Sequence, residues 1–582
     1  MYSTICDPKI MKTLLPGGFP ADKLSQPEYE MTSEFDVYVT MRDGVKIAMD
    51  IHRPDAPGKF PVLFMSTGYM KALSFLPNVP TIHCVETNDI EWFVQRGYIV
   101  AIQDQRGTGK SVDGEWDYIG QEMQYDLYDC IEWLAVQPWS TGKVGMIGES
   151  LLAHVQWFAA ATQPPHLVTI VPYDGGADLY RDIAYHGGNL SVGFPSAWHL
   201  VEIRANYNLG MGIKEPKLGS WDMPRAMIDH PTFDDFWKIR RADFSKIKCP
   251  LYSIGFWHKT GLHLRGNTRG YEEVDAPKKM LLCHGEFEGD EMAIYNSPEM
   301  RLLILRWLDH WLKGNDTGVM EEPPVTLFVH GLEEYREEQE WPLKRADYTP
   351  FYLSGENTGV VDSLNDGKLV LGKEPTADNA SVTYSYPQPD WSHFSGIGAA
   401  VVEHGRVYPY KKVLTFTTDP MENDLEVCGH ARLILYASTD QEFPDYVDTK
   451  FYVKVWDQLP DDVQLKGHPL DSVLLTHGRL RASHSFEHDK ELERPWRPYY
   501  THENPQELEN NKIYKYDIEI LPFANIFRKG HRIRIEVACH DTNMFDFGGH
   551  HYGLNIGKDT IYFDKKHPSK LILPVTISPS KT

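Results

Sequence analysis

The chain has 582 residues, which excludes a single small module, and its 42% hydrophobic and 24% charged residues are ordinary globular usage that can build a substantial core. Asp plus Glu number 82 against 58 for Lys plus Arg, a net charge of −24. Such a surface repels phosphate backbones and anionic bilayers, so neither nucleic acid nor a membrane is an expected partner. The most apolar runs, at 97–102 and 571–575, are far shorter than the ~20 residues of a spanning helix. Residues 1–7 lack a basic head, an apolar run and a cleavage site, so a cytoplasmic location is expected. The seven cysteines are scattered, odd in number and never spaced C-x-x-C, which favours reduced, buried thiols over disulfides or a zinc site.

In chain order, residues 35–40 and 45–51 alternate and are rich in β-branched side chains, with a turn at Met41 to Gly44, and read as a hairpin. Apolar runs of strand length follow at 61–65, 98–102, 143–147 and 168–171, with helix-like segments between the last three. Continuous apolar strands separated by helices indicate a parallel sheet covered on both faces. From 178 to about 240 the strand signal vanishes and Pro195, Pro216, Pro224 and Pro231 punctuate short helices, which reads as a helical cap. Strand signals return at 249–254 and 279–283, and 298–314 has helical spacing of Met, Leu, Ile and Trp. The acidic, proline-bearing stretch Met320 to Pro324 reads as a linker. Beyond it nearly every signal is a short strand, which suggests a β-sandwich. The expected units are therefore 1–177 with 249–320, a cap at 178–248, and a C-terminal unit at 321–582.

The most informative site is Gly148-Glu149-Ser150-Leu151-Leu152-Ala153, between an apolar strand and a helix-like run beginning at His154. A serine on a strand-to-helix turn is held in a tight bend with its hydroxyl exposed, and the next backbone N–H together with the helix N-terminus can stabilise an oxyanion. The G-x-S-x-G pattern is imperfect, since Leu152 stands where glycine is expected. A helix-capping serine is the structural alternative.

Residues 97–111, with Asp104, Arg106, Gly107, Gly109 and Ser111, and residues 131–150, ending on Gly148-Glu149-Ser150, resemble the cocaine-esterase and X-Pro dipeptidyl-peptidase family of α/β-hydrolases. Segments 340–343, 351–353, 448–454, 529–534 and 567–574 are similar to that family's C-terminal jelly roll, so the resemblance runs from about residue 35 to the end. It implies an α/β-hydrolase fold with a helical cap insertion followed by a jelly-roll domain. It also implies a tyrosine hydroxyl in the oxyanion hole, which Tyr69 in Gly68-Tyr69-Met70-Lys71 matches, beside the N–H of Leu151. No cofactor or metal is implied. Oligomers are common in the family, and a homodimer is taken over from it with no support in this sequence.

Ser150 needs a base, because a neutral hydroxyl is a poor nucleophile, and here the chain departs from the family. The family's acid closes a G-x-W-D segment, where this chain has Gly255-Phe256-Trp257-His258. Its base closes a G-P-W-x-H segment, where this chain has His284-Gly285-Glu286-Phe287-Glu288. Three arrangements stay open. His284 can act as base with Asp174 as acid; His258 can act as base oriented by Glu288 or Glu286; or the site has no working triad.

Other histidines have plainer readings. His154 reads as a core or subunit-contact residue, His186 and His199 as surface or substrate-contact residues of the cap, and His550 with His551 lacks a third metal ligand. The segment 104–109 lacks the G-K-[ST] ending of a phosphate loop and reads as a structural turn. The expected function is a serine hydrolase acting through an acyl-enzyme on Ser150, with a small organic ester or amide as substrate. A lyase, cyclase or acyl-transfer enzyme, and a binding protein on a degenerate hydrolase scaffold, are the alternatives.

Overall fold

The computed structural model describes residues 8–14, 18, 21–75, 86–203, 222–285, 290–386, 401–403, 406–408, 413–442, 445–460, 472–541 and 556–576. The alternation at 35–51 folds as the hairpin it suggests. β1 (Met31–Thr40) and β2 (Lys46–Pro54) are antiparallel, with Gly44 at φ 89° closing the turn. The apolar runs become β3 (Phe60–Thr67), β4 (Ile99–Asp104), β5 (Ser140–Glu149), β6 (Leu167–Tyr173), β7 (Leu251–Phe256) and β8 (Lys278–Cys283). They lie side by side in the order β2-β4-β3-β5-β6-β7-β8. The β2–β4 contact is antiparallel and every later neighbour pair through β8 is parallel.

Every residue of β4 and of β7 is buried, as expected where helices cover both faces of a parallel sheet. One of those helices, α1 (Leu151–Ala161), is buried along Leu151 to Ala160, and its nearly all-apolar sequence suits an enclosed helix. The turn at 104–111 is structural, as the sequence suggests. Arg106 pairs with Asp126 and Asp43, and Asp104 accepts from the backbone N–H groups of Lys71 and Lys110.

After residues 320–324 the chain first adds to the N-terminal sheet. These residues lead into β9 (Val325–Val329), parallel to β8, and β10 (Glu334–Glu338), antiparallel to β9, so that among the described residues the first sheet has ten strands and runs past residue 320. A short apolar run identifies a strand but carries no information on which sheet it joins. Between β6 and β7 the chain forms short helices at Phe194–Ala197, Met223–Asp229 and Asp235–Lys238, with Pro195 and Pro224 in their first turns. It also forms a two-residue strand pair, Tyr185–His186 with Asn189–Leu190, which the sequence does not announce.

The C-terminal part is β-rich. Among the described residues, eleven strands form a sheet in which Leu425–Gln441 pairs on one side with Tyr514–Phe527 and on the other with Lys570–Thr576, so that the sheet closes on itself around a second apolar core. Among the described residues, no helix is long and apolar enough to cross a membrane.

Candidate active site

Ser150 stands at the junction of β5 and α1 with φ 52° and ψ −113°, a strained conformation for a residue with a side chain. Its N–H donates to the Tyr173 carbonyl at 3.1 Å, and its own carbonyl accepts from Ala153 and His154 at 2.9 and 2.8 Å. The bend is therefore fixed from both sides. The packing explains the altered motif. Gly148, at φ 141°, has room for no Cβ, which would lie 2.4 Å from Leu152 Cβ, so this glycine makes space for the leucine at the unusual position. Ala153 packs closely on Gly175, where a Cβ would approach its methyl to 2.6 Å.

Tyr69 follows β3, buried, with its N–H donating to Thr67 Oγ1 at 3.0 Å and its hydroxyl accepting from Trp198 Nε1 at 2.9 Å. A Cβ on Gly68 would lie 3.4 Å from Leu151 Cδ1, so the segment leading into Tyr69 runs against the residue that follows the serine.

The imidazole that reaches Ser150 is His263, with Nε2 3.5 Å from Oγ. His263 immediately precedes helix α2 (Leu264–Glu273), in the turn that follows β7. Its Nδ1 lies 3.1 Å from His154 Nε2, and His154 Nδ1 lies 2.7 Å from the Tyr118 hydroxyl. Burial pushes His154 down to about 3. Burial, with the neighbouring His154 and Lys259, holds His263 well below its ordinary value. Both rings are neutral near pH 7. His263 is absent from the sequence candidates. Its signal was an imidazole five residues past His258 at the start of a helical run, invisible to a reading that looks only at the two positions where the family keeps its acid and base.

The two histidines expected as bases have these neighbours. His284 packs its ring against Phe328 at 4.5 Å and His330 at 5.3 Å, under β9. His258 Nε2 lies 3.3 Å from Glu291 Oε2. Glu286, Phe287 and Glu288 lie outside the described residues, as do His550 and His551. Asp174 is buried at the end of β6 with φ 55°, its N–H donating to the Ile254 carbonyl at 2.7 Å. His186 Nε2 bonds to the Asp182 carbonyl at 2.8 Å, and His199 lies 3.8 Å from Asp222; both are buried.

Several buried acids act on Glu149, the residue before the serine. Burial, with the charges of Glu291, Glu86 and Asp174, holds the Glu149 carboxyl well above the usual range. Glu291 differs. Burial would raise it, but Lys259 at 2.9 Å and His258 outweigh that and keep it ionised. The Lys259 carbonyl accepts from the N–H groups of His263 and Leu264 at 3.1 and 3.0 Å, so Glu291 grips the turn that presents His263.

Residues 43–286 match the family model described as X-Pro dipeptidyl-peptidase (S15 family), and residues 317–572 match that of the X-Pro dipeptidyl-peptidase C-terminal non-catalytic domain. Among curated relatives, a cocaine esterase from Rhodococcus sp. is 27% identical, covering 93% of this chain and 98% of its own. A putative serine esterase from Mycobacterium tuberculosis is 24% identical over 96% and 97%. Among solved structures, a CocE/NonD family hydrolase from Staphylococcus aureus superposes with a TM-score of 0.77 at 27% identity, covering 94% of each chain.

Proposed function

The chain belongs to the cocaine-esterase and X-Pro dipeptidyl-peptidase family of α/β-hydrolases, a family of serine hydrolases, and from that premise we propose that it cleaves esters or amides of small organic acyl groups through an acyl-enzyme on Ser150. His263 is the general base, and Tyr69 with the N–H of Leu151 holds the oxyanion. The observation that carries this reading is the 3.5 Å approach of His263 Nε2 to Ser150 Oγ on a strained strand-to-helix bend. A base must lie within reach of the proton it takes, and such contacts are often long before substrate arrives.

Ester or amide cleavage is favoured over X-Pro peptide cleavage by coverage. The esterases match over nearly their whole length, whereas a putative Xaa-Pro dipeptidyl-peptidase from Bacillus cereus matches over 57% of this chain and 62% of its own. The helices at 178–248 form the cap over the serine, and the closed C-terminal sheet is the jelly roll that completes the cleft. Trp198 and Phe194, their rings stacked at 5.9 Å, give this cleft an apolar wall suited to a small acyl group.

The test is reaction with a fluorophosphonate read by intact mass. One equivalent is expected on the native protein, none on Ser150→Ala, and labelling slowed at least about 100-fold in His263→Ala. A folded native protein that takes no label sinks the assignment.

A further inference from the structure

His263 Nδ1 meets an imidazole, His154 Nε2, at 3.1 Å, where a serine hydrolase triad has a carboxylate. We propose that His154 is the positioning residue that replaces the triad acid, holding His263 in the tautomer whose bare Nε2 faces Ser150, with Tyr118 setting the direction of the chain. The inference rests on the assignment of Ser150 and His263 above.

Each neutral imidazole has one N–H and one lone pair. Hydrogen bonds through two such rings must therefore all run the same way. If the Tyr118 hydroxyl donates to His154 Nδ1, then His154 Nε2–H donates to His263 Nδ1, and His263 is left with an Nε2–H aimed at Ser150. In that direction it can accept no proton. In the opposite direction His263 Nδ1–H donates to His154 Nε2, His154 Nδ1–H donates to the Tyr118 oxygen, and His263 Nε2 presents its lone pair to the serine. Only this second arrangement supports base catalysis.

Three features favour it. Tyr118, His154 and His263 are all buried, so bulk water does not scramble the chain. Burial raises the Tyr118 phenol, and the Glu86 charge raises it further. A nearby negative charge favours the rotamer in which the Tyr118 proton turns toward it, and the phenol oxygen then accepts from His154. Finally, His154 is held one turn after Ser150 on the buried helix α1, with its N–H on the Ser150 carbonyl at 2.8 Å, so nucleophile and positioning residue share one rigid element.

In the reaction, the Ser150 Oγ–H proton passes to His263 Nε2 as the Oγ–carbon bond forms. The Nδ1 proton shifts toward His154 Nε2 and spreads the positive charge over two rings. The Nε2 proton then goes to the departing oxygen or nitrogen as its bond to the acyl carbon breaks.

The experiment compares His154→Phe, His154→Gln and Tyr118→Phe, reading kcat and KM on p-nitrophenyl acetate and the rate of fluorophosphonate labelling. Phenylalanine fills the space but accepts nothing, so kcat and labelling are expected to fall about 1,000-fold with KM nearly unchanged, by analogy with the loss when a triad histidine is held in the wrong tautomer. The glutamine carbonyl can accept from His263 Nδ1–H, so His154→Gln is expected to stay within about tenfold of the native kcat, and Tyr118→Phe to lose about tenfold or more. Should His154→Phe fail to fold, the other two decide. Full activity in Tyr118→Phe, or a folded His154→Gln as slow as a Ser150→Ala control, overturns the proposal while native labelling leaves the Ser150 assignment standing. Absent native labelling removes both.

Discussion

Trp198 Nε1 donates to the Tyr69 hydroxyl at 2.9 Å, which occupies a lone pair of the phenol and directs its O–H in the proposed oxyanion hole. A donor into that oxygen also polarises the O–H, since hydrogen bonds in series strengthen one another. Tyr69→Phe is therefore expected to lower kcat/KM about 100-fold, the usual scale for one oxyanion donor. Trp198→Phe should cost about tenfold when Tyr69 is present and almost nothing in a Tyr69→Phe background, because its effect passes through the hydroxyl. The check is a double-mutant cycle on kcat/KM for a small ester, and independent, additive losses would rule the coupling out. Trp198 also packs on Tyr118, ring centres 5.3 Å apart, so a single indole touches both Tyr69 and the end of the histidine chain.

At the scale of elements, the turn from Trp257 to Leu264 decides whether there is a base at all. A Cβ on Gly285 would lie 2.1 Å from His258 Nδ1, so the loop after β8 presses directly on the ring that occupies the family's acid position. Glu291 then takes both His258 and Lys259. Removing Glu291 leaves the buried Lys259 ammonium without that partner, and breaking such a pair costs roughly 3–5 kcal/mol. Glu291→Leu is therefore expected to lower the urea midpoint sharply. Lys259→Met with Glu291→Leu should recover much of the loss, yet leave kcat reduced because the turn carrying His263 is no longer gripped. A double variant with native kcat would show that the grip is irrelevant to catalysis.

Much of this architecture was legible beforehand. The runs at 61–65, 98–102, 143–147, 168–171 and 279–283 became strands because continuous apolar segments of that length have few other ways to be buried. Ser150 was legible because the bend needs a strand, a serine and a small residue in that order. His263 was not, because its role depends on the path of a turn, and turn paths are set by contacts such as Gly285 against His258 that no local pattern encodes. His154 was half legible: its burial was expected, but its polar partners, Tyr118 and His263, come from distant parts of the chain.

For the whole molecule, helix α2 connects chemistry to assembly. It begins just after His263 and ends on Glu272 and Glu273, which face the C-terminal half. There Glu272 receives His430 Nε2 at 2.6 Å, lies 3.3 Å from Arg497 and accepts from Trp341 Nε1 at 3.1 Å. Burial alone would raise Glu272, but His430 and Arg497 outweigh it and hold it down to about 2, from an ordinary 4.5. A depressed carboxylate contributes stability that is fully present above the ordinary value and is lost as pH falls toward and through the depressed one. The contribution, on the order of 3 kcal/mol at pH 7, should therefore disappear between about pH 4.5 and pH 2. Glu272→Gln is expected to be less stable than the native protein at pH 7 by urea denaturation, and the gap between the two should close as pH falls through that window. A gap that stays constant with pH would show that Glu272 is not the group responsible. Because the same helix carries His263 at its other end, loosening this junction should also slow fluorophosphonate labelling of Ser150 before the chain unfolds, so that in acid the loss of serine reactivity runs ahead of the loss of fold.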